Sequence, residues 1–425
     1  MGNGDGIAVG EAGPQAAWQA PGAVERQLYE AKECGDWPAY FDTLASADLF
    51  FADSIARIDA HPGSVKCTPY WYSQVRANCL PLLTEGMLPP PDQNPDTAFD
   101  YETLEWFAKS WRDDSILWLV INPGSPCEAF LPATPPHQGL WLEHANRVSR
   151  CDCGYPRHRM HLRALEAGGA ASGPVAHGLG LVALLSVNNG TLWNSIAYHG
   201  TGYYTEKKRL KDSWDVHSRQ QWQHTQESLL NADFISGVWN FALNVRRSLA
   251  RDYGGEVELG QWRHAAERAL RDHATATEYQ LSPDGVTKVS PPSSSQMEGQ
   301  IAGVQRLIGR IARYEERFRA DGLLTDGQFV HKVEAWDYGR AAGMARWGLG
   351  ARYCTQQEAE KAISRASAAG QASYQSWEEF SAAFILGRCL HFDDEKFGTW
   401  YQDMLNAHRI LTTDPASPWL TIPWA

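Results

Sequence analysis

The sequence predicts an α+β protein, with an N-terminal α/β domain followed by a mainly α-helical domain. Three observations carry this expectation. Short apolar runs of strand length, bounded by Pro, Gly or Asp, alternate with a helical repeat over the first third of the chain. Beyond about residue 190 the apolar spacing is almost entirely that of helices. Ser/Thr-x-x-Glu/Gln pairs stand where several of those helices should begin.

Residues 1–22, rich in Gly, Ala and Pro, read as a flexible leader that buries too little to offset the entropy of ordering it. They lack the basic and apolar regions of a secretory signal. Residues 23–140 form the expected α/β domain. Ala23 to Leu44 is helical, with a break at Gly35-Asp36. Ala47–Ala52, Leu80–Leu83 and Ile116–Ile121 read as strands, and Asp100–Trp111 as a helix through Leu104, Phe107, Ala108 and Trp111. Residues 141–190 are a connecting region, with the Gly/Ala/Ser stretch from Ala167 to Gly173 as its compositional boundary. Within it, Gly178–Val187 reads as a buried strand or a short core helix, and is too short to span a membrane.

Residues 191–425 form the helical domain. Ser218 with Gln221, Thr355 with Glu358, and Ser376 with Glu379 open helices, and the row Ile301, Val304, Ile308, Ile311, Phe318 defines a long one that ends at Gly322. Lys332–Trp347 is another, closed by Gly348. Residues 281–296, rich in Pro and Ser, are expected to form a mobile loop.

The chain has 425 residues, 43% apolar and 21% charged, which is ordinary for a globular protein. Its 18 tryptophans are unusual and suit a core, a domain junction or a binding groove. A net charge of −12 argues against a nucleic-acid partner, and the run Lys207, Lys208, Arg209, Lys211 is a short solvated edge. Eight scattered cysteines fit reduced thiols in the cytoplasm.

Trp336-Asp337-x-x-Arg340 places Asp337 and Arg340 on one helical face, as an ion pair or as a guanidinium offered to an acidic ligand. Arg346 and Arg388 are candidates to join it. In Ser376-Trp377-Glu378-Glu379-Phe380 the serine caps the helix; Trp377 and Glu378 are further ligand-binding candidates. His199 and Tyr203, in a Gly-rich turn, are candidate walls of a small-molecule pocket. Cys151, Cys153, His158 and His161 are the only cluster with metal-ligating character, and their spacing is poor for tetrahedral zinc. No metal and no cofactor is therefore expected. P-loop, Rossmann and nucleophile-elbow signatures are absent from the sequence.

Two resemblances accompany this reading. Glu30 to Pro135 resembles the N-terminal domain of the SseB family (enhanced serine sensitivity), through Gly35-Asp36-Trp37, Ala47-Asp48-Leu49-Phe50, Leu83-Thr84-Glu85-Gly86-Met87-Leu88-Pro89 and Leu117 to Pro126. It implies a compact α/β fold in which the Asn122-Pro123-Gly124 turn closes a central strand. From Leu192 on, the chain resembles domain-of-unknown-function family 1266, through Glu334 to Arg340, Arg346-Trp347-Gly348, Ser376 to Phe380, Gly387-Arg388, Ser417-Pro418-Trp419 and Ile422-Pro423-Trp424. Neither resemblance implies a reaction. The expected function is a non-enzymatic protein-interaction or regulatory module of the bacterial cytoplasm, with a toxin-neutralising system as one setting and another protein as partner. The alternatives are a hydrolase or transferase acting on a small anionic substrate in a Trp/Arg-lined pocket, and a subunit that self-associates through tryptophan surface.

Overall fold

A computed structural model describes residues 18–110, 116–148, 159–255, 257–275, 279–282, 285–288 and 292–425. Most of the predicted leader and residues 149–158 lie outside the described residues.

The chain opens with α1 (Ala23–Glu33) and α2 (Trp37–Ser46), separated by Gly35-Asp36. The Asp36 side chain caps α2 by accepting from Ala39 N, and Pro38 fits the first turn, where its missing N–H costs nothing. There follow β1 (Asp48–Ser54), α3 (Ile55–Ala60), β2 (Tyr70–Tyr72), β3 (Ala77–Leu82), β4 (Thr97–Thr103), α4 (Leu104–Ser110), β5 (Trp118–Ile121), β6 (Ala129–Pro132) and α5 (Pro135–Val148).

A four-stranded sheet has the order β2-β3-β5-β6, with β3 and β5 parallel and both edges antiparallel. β1 pairs with β4, and the Phe50–Leu83 bridge ties this ribbon to the sheet. Asp100–Thr103, expected to be helical, belongs to β4, opposite Asp48–Phe51; the helix starts only at Leu104. Leu80 and Leu82 of β3 and Leu119 and Ile121 of β5 pack under Tyr40, Leu44, Phe107 and Trp141 of the surrounding helices. Beyond β5, Asn122 adopts a left-handed φ of 46°; its amide accepts from Thr84 N and donates to Thr84 Oγ1. Two segments 38 residues apart are thereby stapled.

The helical half comprises α6 (Gly173–Leu181), α7 (Ala183–Asn189), α8 (Tyr203–Trp214), α9 (Arg219–Leu230), α10 (Gly237–Tyr253), α11 (Leu259–Thr275), β7 (Tyr279–Ser282), β8 (Gly285–Lys288), α12 (Ser294–Asp321), α13 (Ala335–Gly350), α14 (Gln356–Ser373), α15 (Trp377–Phe392), α16 (Thr399–Thr413) and α17 (Pro418–Thr421). The apolar run Gly178–Val187 thus resolves into two short core helices. Where a loop was expected at 281–296, β7 pairs with β8 and α12 begins at Ser294 behind a complete capping box. Met160, α6 and α7 pack in the helical core, whereas α5 packs in the first one.

α13 is the axis of this half, buried on nearly every side among α6, α8, α9, α14 and α15. Its small residues permit that crowding: a Cβ on Gly339 would lie 2.6 Å from Phe384 and 2.9 Å from Leu181 O. The Thr355 and Glu358 box that opens α14 is formed in both directions. We expect Thr355→Ala to destabilise the helical half by about 1 kcal/mol, read as a lower urea midpoint at unchanged m; an unshifted midpoint refutes it. At α15, Ser376 accepts from Glu379 N, but the Glu379 carboxylate returns to Gln375 N, one residue earlier than a capping box requires. No helix among the described residues is long and apolar enough to cross a membrane.

Candidate functional site

The predicted residues fall into three places. Trp336, Asp337, Arg340 and Arg388 come together where α13 crosses α15. Gly387 allows that crossing, since a Cβ there would lie 2.7 Å from the Trp336 Cβ and 3.3 Å from Val333 O. With α15 this close, Arg388 reaches past the indole. Its guanidinium lies 5.5 Å from the Trp336 ring, 4.8 Å from Trp400 and 6.0 Å from Phe392. Phe392 and Trp400 stack at 4.7 Å and are 40% and 44% exposed. Arg388 is only 8% exposed, yet no hydrogen bond or ion pair joins it to any described residue, and its Nε is buried without an acceptor. Burial pushes its pKa down to about 10, which leaves it a cation at neutral pH.

Arg340 takes the other share of the same indole, 4.4 Å from Trp336, with Trp214 at 5.4 Å and Phe234 at 5.8 Å. A cleft of about 460 Å³ opens here, lined by Trp214, Phe234, Trp239, Trp336, Arg340 and His391, among others. Asp337 is fully buried beside it. Its carboxylate is bound to Arg340 and accepts from Phe234 N at 3.1 Å, so it is committed to holding the cleft. Burial raises the Asp337 pKa against the pull of Arg340. Each carboxylate oxygen thus holds one partner, a structural use of the group.

Arg346 and His199 lie instead at the junction between the sheet and the helices. Arg346 is 2% exposed; it donates to Ser186 Oγ at 3.0 Å and to Leu192 O. Burial lowers its pKa to about 9, opposed by Glu206 and Glu85. Glu206 accepts from Thr201 and Arg209, and His199 Nε2 stands 3.6 Å from it. Glu85 reaches in from the sheet half, accepting from Arg163 Nη2 at 2.7 Å. Three buried atoms here have no partner: Glu85 Oε1, His199 Nε2 and Arg346 Nε. Burial raises the Glu85 pKa to about 7 and holds His199 well below its usual range. Beside this network a cavity of about 480 Å³ is walled by Gly86, Pro89, Gly169, Ser195 and Tyr198, with Glu85 on its lining.

Of the remaining candidates, Tyr203 and Trp377 pack against neighbouring elements. Tyr203 donates to Asp59 Oδ1 at 2.9 Å and packs on Ile58 and Ala98, docking α8 against the sheet half. Trp377 stacks on Trp419 at 5.8 Å, meets Trp424 edge-on at 4.7 Å and donates to Ile422 O, clamping the C-terminal segment. Glu378 points to solvent. Cys151, Cys153 and His158 lie outside the described residues, while His161 is exposed and bonded to Arg159 O. Among the described residues no group of three or more His, Cys, Asp or Glu side chains is placed to hold a metal ion.

Trp400 and Phe392 beside Arg388, Trp214 in the cleft, and Glu85, Arg163 and Glu206 at the junction, were not singled out from sequence as site residues. Glu85 stood in a quoted motif and Glu206 lies three residues past Tyr203, but nothing local marks either as buried.

The fold and cleft define an α+β protein whose helical half sets arginines among aromatic rings. A family model described as "Protein of unknown function (DUF1266)" matches residues 209–424, half of the chain, and the chain belongs to that family. The match contains every cleft residue, and excludes Glu85, Arg163, His199 and Glu206 at the junction. No curated protein and no solved structure matches the chain.

Proposed function

We propose that the protein is a non-enzymatic interaction module of the bacterial cytoplasm, whose helical domain captures an acidic group of a protein partner at Arg388, beside Trp336, Phe392 and Trp400. The SseB-like N-terminal domain, in this reading, supplies a second recognition surface. The observation that carries the proposal is Arg388, a cation more than nine-tenths buried with its hydrogen-bonding capacity unspent. A guanidinium in that state gains most from a carboxylate that arrives from outside, because its planar fork takes two parallel hydrogen bonds. The half-exposed Trp400 and Phe392 beside it are the residue types that anchor protein interfaces. The hydrolase or transferase alternative is less well supported, since both oxygens of Asp337 are already bonded to Arg340 and Phe234 N, and Trp377, Glu378 and Glu379 lie about three turns of α15 away from Arg388.

Affinity purification from native cytoplasm should recover a stoichiometric partner with the wild-type chain. Arg388→Met, which keeps the volume and stacking but not the charge, should weaken that partner's binding at least about tenfold, or 1.4 kcal/mol, with thermal stability retained. Equal affinity for both chains, or no partner with either, overturns the proposal.

A further inference from the structure

A second concentration of positive charge lies away from the cleft, between α11 and α12. Arg306, Arg310 and Arg313 follow one face of α12 at helical spacing, and Arg263 reaches over from α11. Together they line a concavity of about 480 Å³ whose only lining carboxylate among the described residues is Glu395. Glu395 is bonded to Arg313, and Arg310 donates to Leu390 O at 3.3 Å, with Asp394 3.8 Å away. Arg263 and Arg306 have no hydrogen bond or ion pair with any described residue, and the Arg263 Nε is buried without an acceptor.

Gly309 explains how the charges come so close. The position that its Cβ would occupy lies 2.8 Å from Arg263 Nη2 and 3.1 Å from Arg313 Nη1. Two guanidiniums therefore rest on the same bare patch of helix. Like charges repel at that separation, and a chain of net charge −12 has acidic side chains enough to separate them. Four arginines facing one carboxylate in a concave site are complementary to a multiply charged anion.

We infer that this is a binding site for an oligophosphate, a compact ligand with two or more phosphoryl groups. Guanidinium forks match phosphate oxygens in pairs, and a single tetrahedral anion is too small to engage all four side chains. No aromatic ring among the described residues lines the concavity, so a nucleobase attached to the phosphates finds no stacking surface there. The phosphate chain is the recognised part. This site is independent of Arg388 and of the Trp336–Arg340 cleft.

Titration calorimetry on the full chain at low salt, without divalent metal, tests it with inorganic tripolyphosphate, pyrophosphate, orthophosphate and ATP. Affinity should fall in the order tripolyphosphate, pyrophosphate, orthophosphate, with ATP no tighter than tripolyphosphate, and should weaken steeply with added salt. Arg306→Glu, at an exposed position, should weaken tripolyphosphate at least tenfold, whereas Lys208→Glu, on α8, makes the same charge change with little effect. Gly309→Ala should also weaken binding while the melting temperature holds or rises, because alanine is the better helix former. Absence of heat with millimolar tripolyphosphate overturns the inference. So does equal affinity in Arg306→Glu, and ATP binding far tighter than tripolyphosphate overturns recognition through phosphate alone.

Discussion

Arg246→Met should destabilise the helical half by about 3–5 kcal/mol, the range for leaving one member of a buried ion pair uncompensated. Arg246 on α10 binds Glu315 on α12 through both forks, at 2.6 and 2.7 Å, and the two side chains are 5% and 3% exposed. The same guanidinium donates to Val330 O at 2.8 Å and lies 4.2 Å from the Trp262 ring and 4.6 Å from Phe329. One residue thus joins two helices and the segment leading to α13. Methionine fills the space between the rings but leaves the Glu315 carboxylate with a single donor, Val330 N at 2.8 Å. The pair as a whole is worth far less than that, because both ions were stripped of water to form it. Arg246→Met with Glu315→Leu should therefore recover most of the loss. Urea unfolding of the wild type, each single variant and the double variant measures this coupling. A loss under about 1 kcal/mol in Arg246→Met, or a double variant no better than the single ones, sinks the argument.

Legibility from sequence follows the range of the interactions concerned. Ser218, Thr355, Ser376 and Gly322 set helix ends by bonds to backbone a few residues away, and the helices begin or end beside them. Asp100–Thr103 was misread because its structure comes from pairing with Asp48–Phe51, half a domain away in sequence. The edge strands β2 and β6, of three and four residues, left no periodicity to detect. At 281–296 the prolines and serines suggested a loop, although the Asp284-Gly285 dipeptide among them is of the kind that joins hairpin strands.

The site was legible in its parts and not in its grouping. Asp337 and Arg340, three apart, share a face and bond to each other as their spacing requires. Arg346, six residues after Arg340, points about 120° away around the same helix, and so serves the junction instead. That separation was calculable from the sequence. That Arg388 would meet Trp336, and Trp400 would cover it, was not, because both contacts join helices whose relative placement no local pattern encodes.

Glu85 provides a pH dependence that a single substitution can isolate. Its carboxyl is carried to about 7 from an ordinary 4.5, chiefly by burial, with Asp48 and Glu25 adding repulsion and Arg163 opposing both. For an acid whose folded-state pKa is raised, the folded chain holds the proton more tightly than the unfolded one. Its contribution to stability is complete below pH 4.5 and is lost as the pH rises through about 7. At about 1.36 kcal/mol per pH unit, the loss by pH 8 reaches roughly 3 kcal/mol. Glu85→Gln keeps an oxygen for Arg163 Nη2 but cannot ionise. The variant should match the wild type or melt slightly lower at pH 5, and melt clearly higher at pH 8. Comparison at each pH cancels the titration of Asp100, Glu206 and His199, which remain in both chains. A melting difference that stays constant from pH 5 to 8 would mean that Glu85 is ionised throughout, paired with Arg163 and Arg346 strongly enough to overcome its burial. The junction would then be an ordinary buried ion pair, and the orphaned Glu85 Oε1 a charged acceptor held against the helical half.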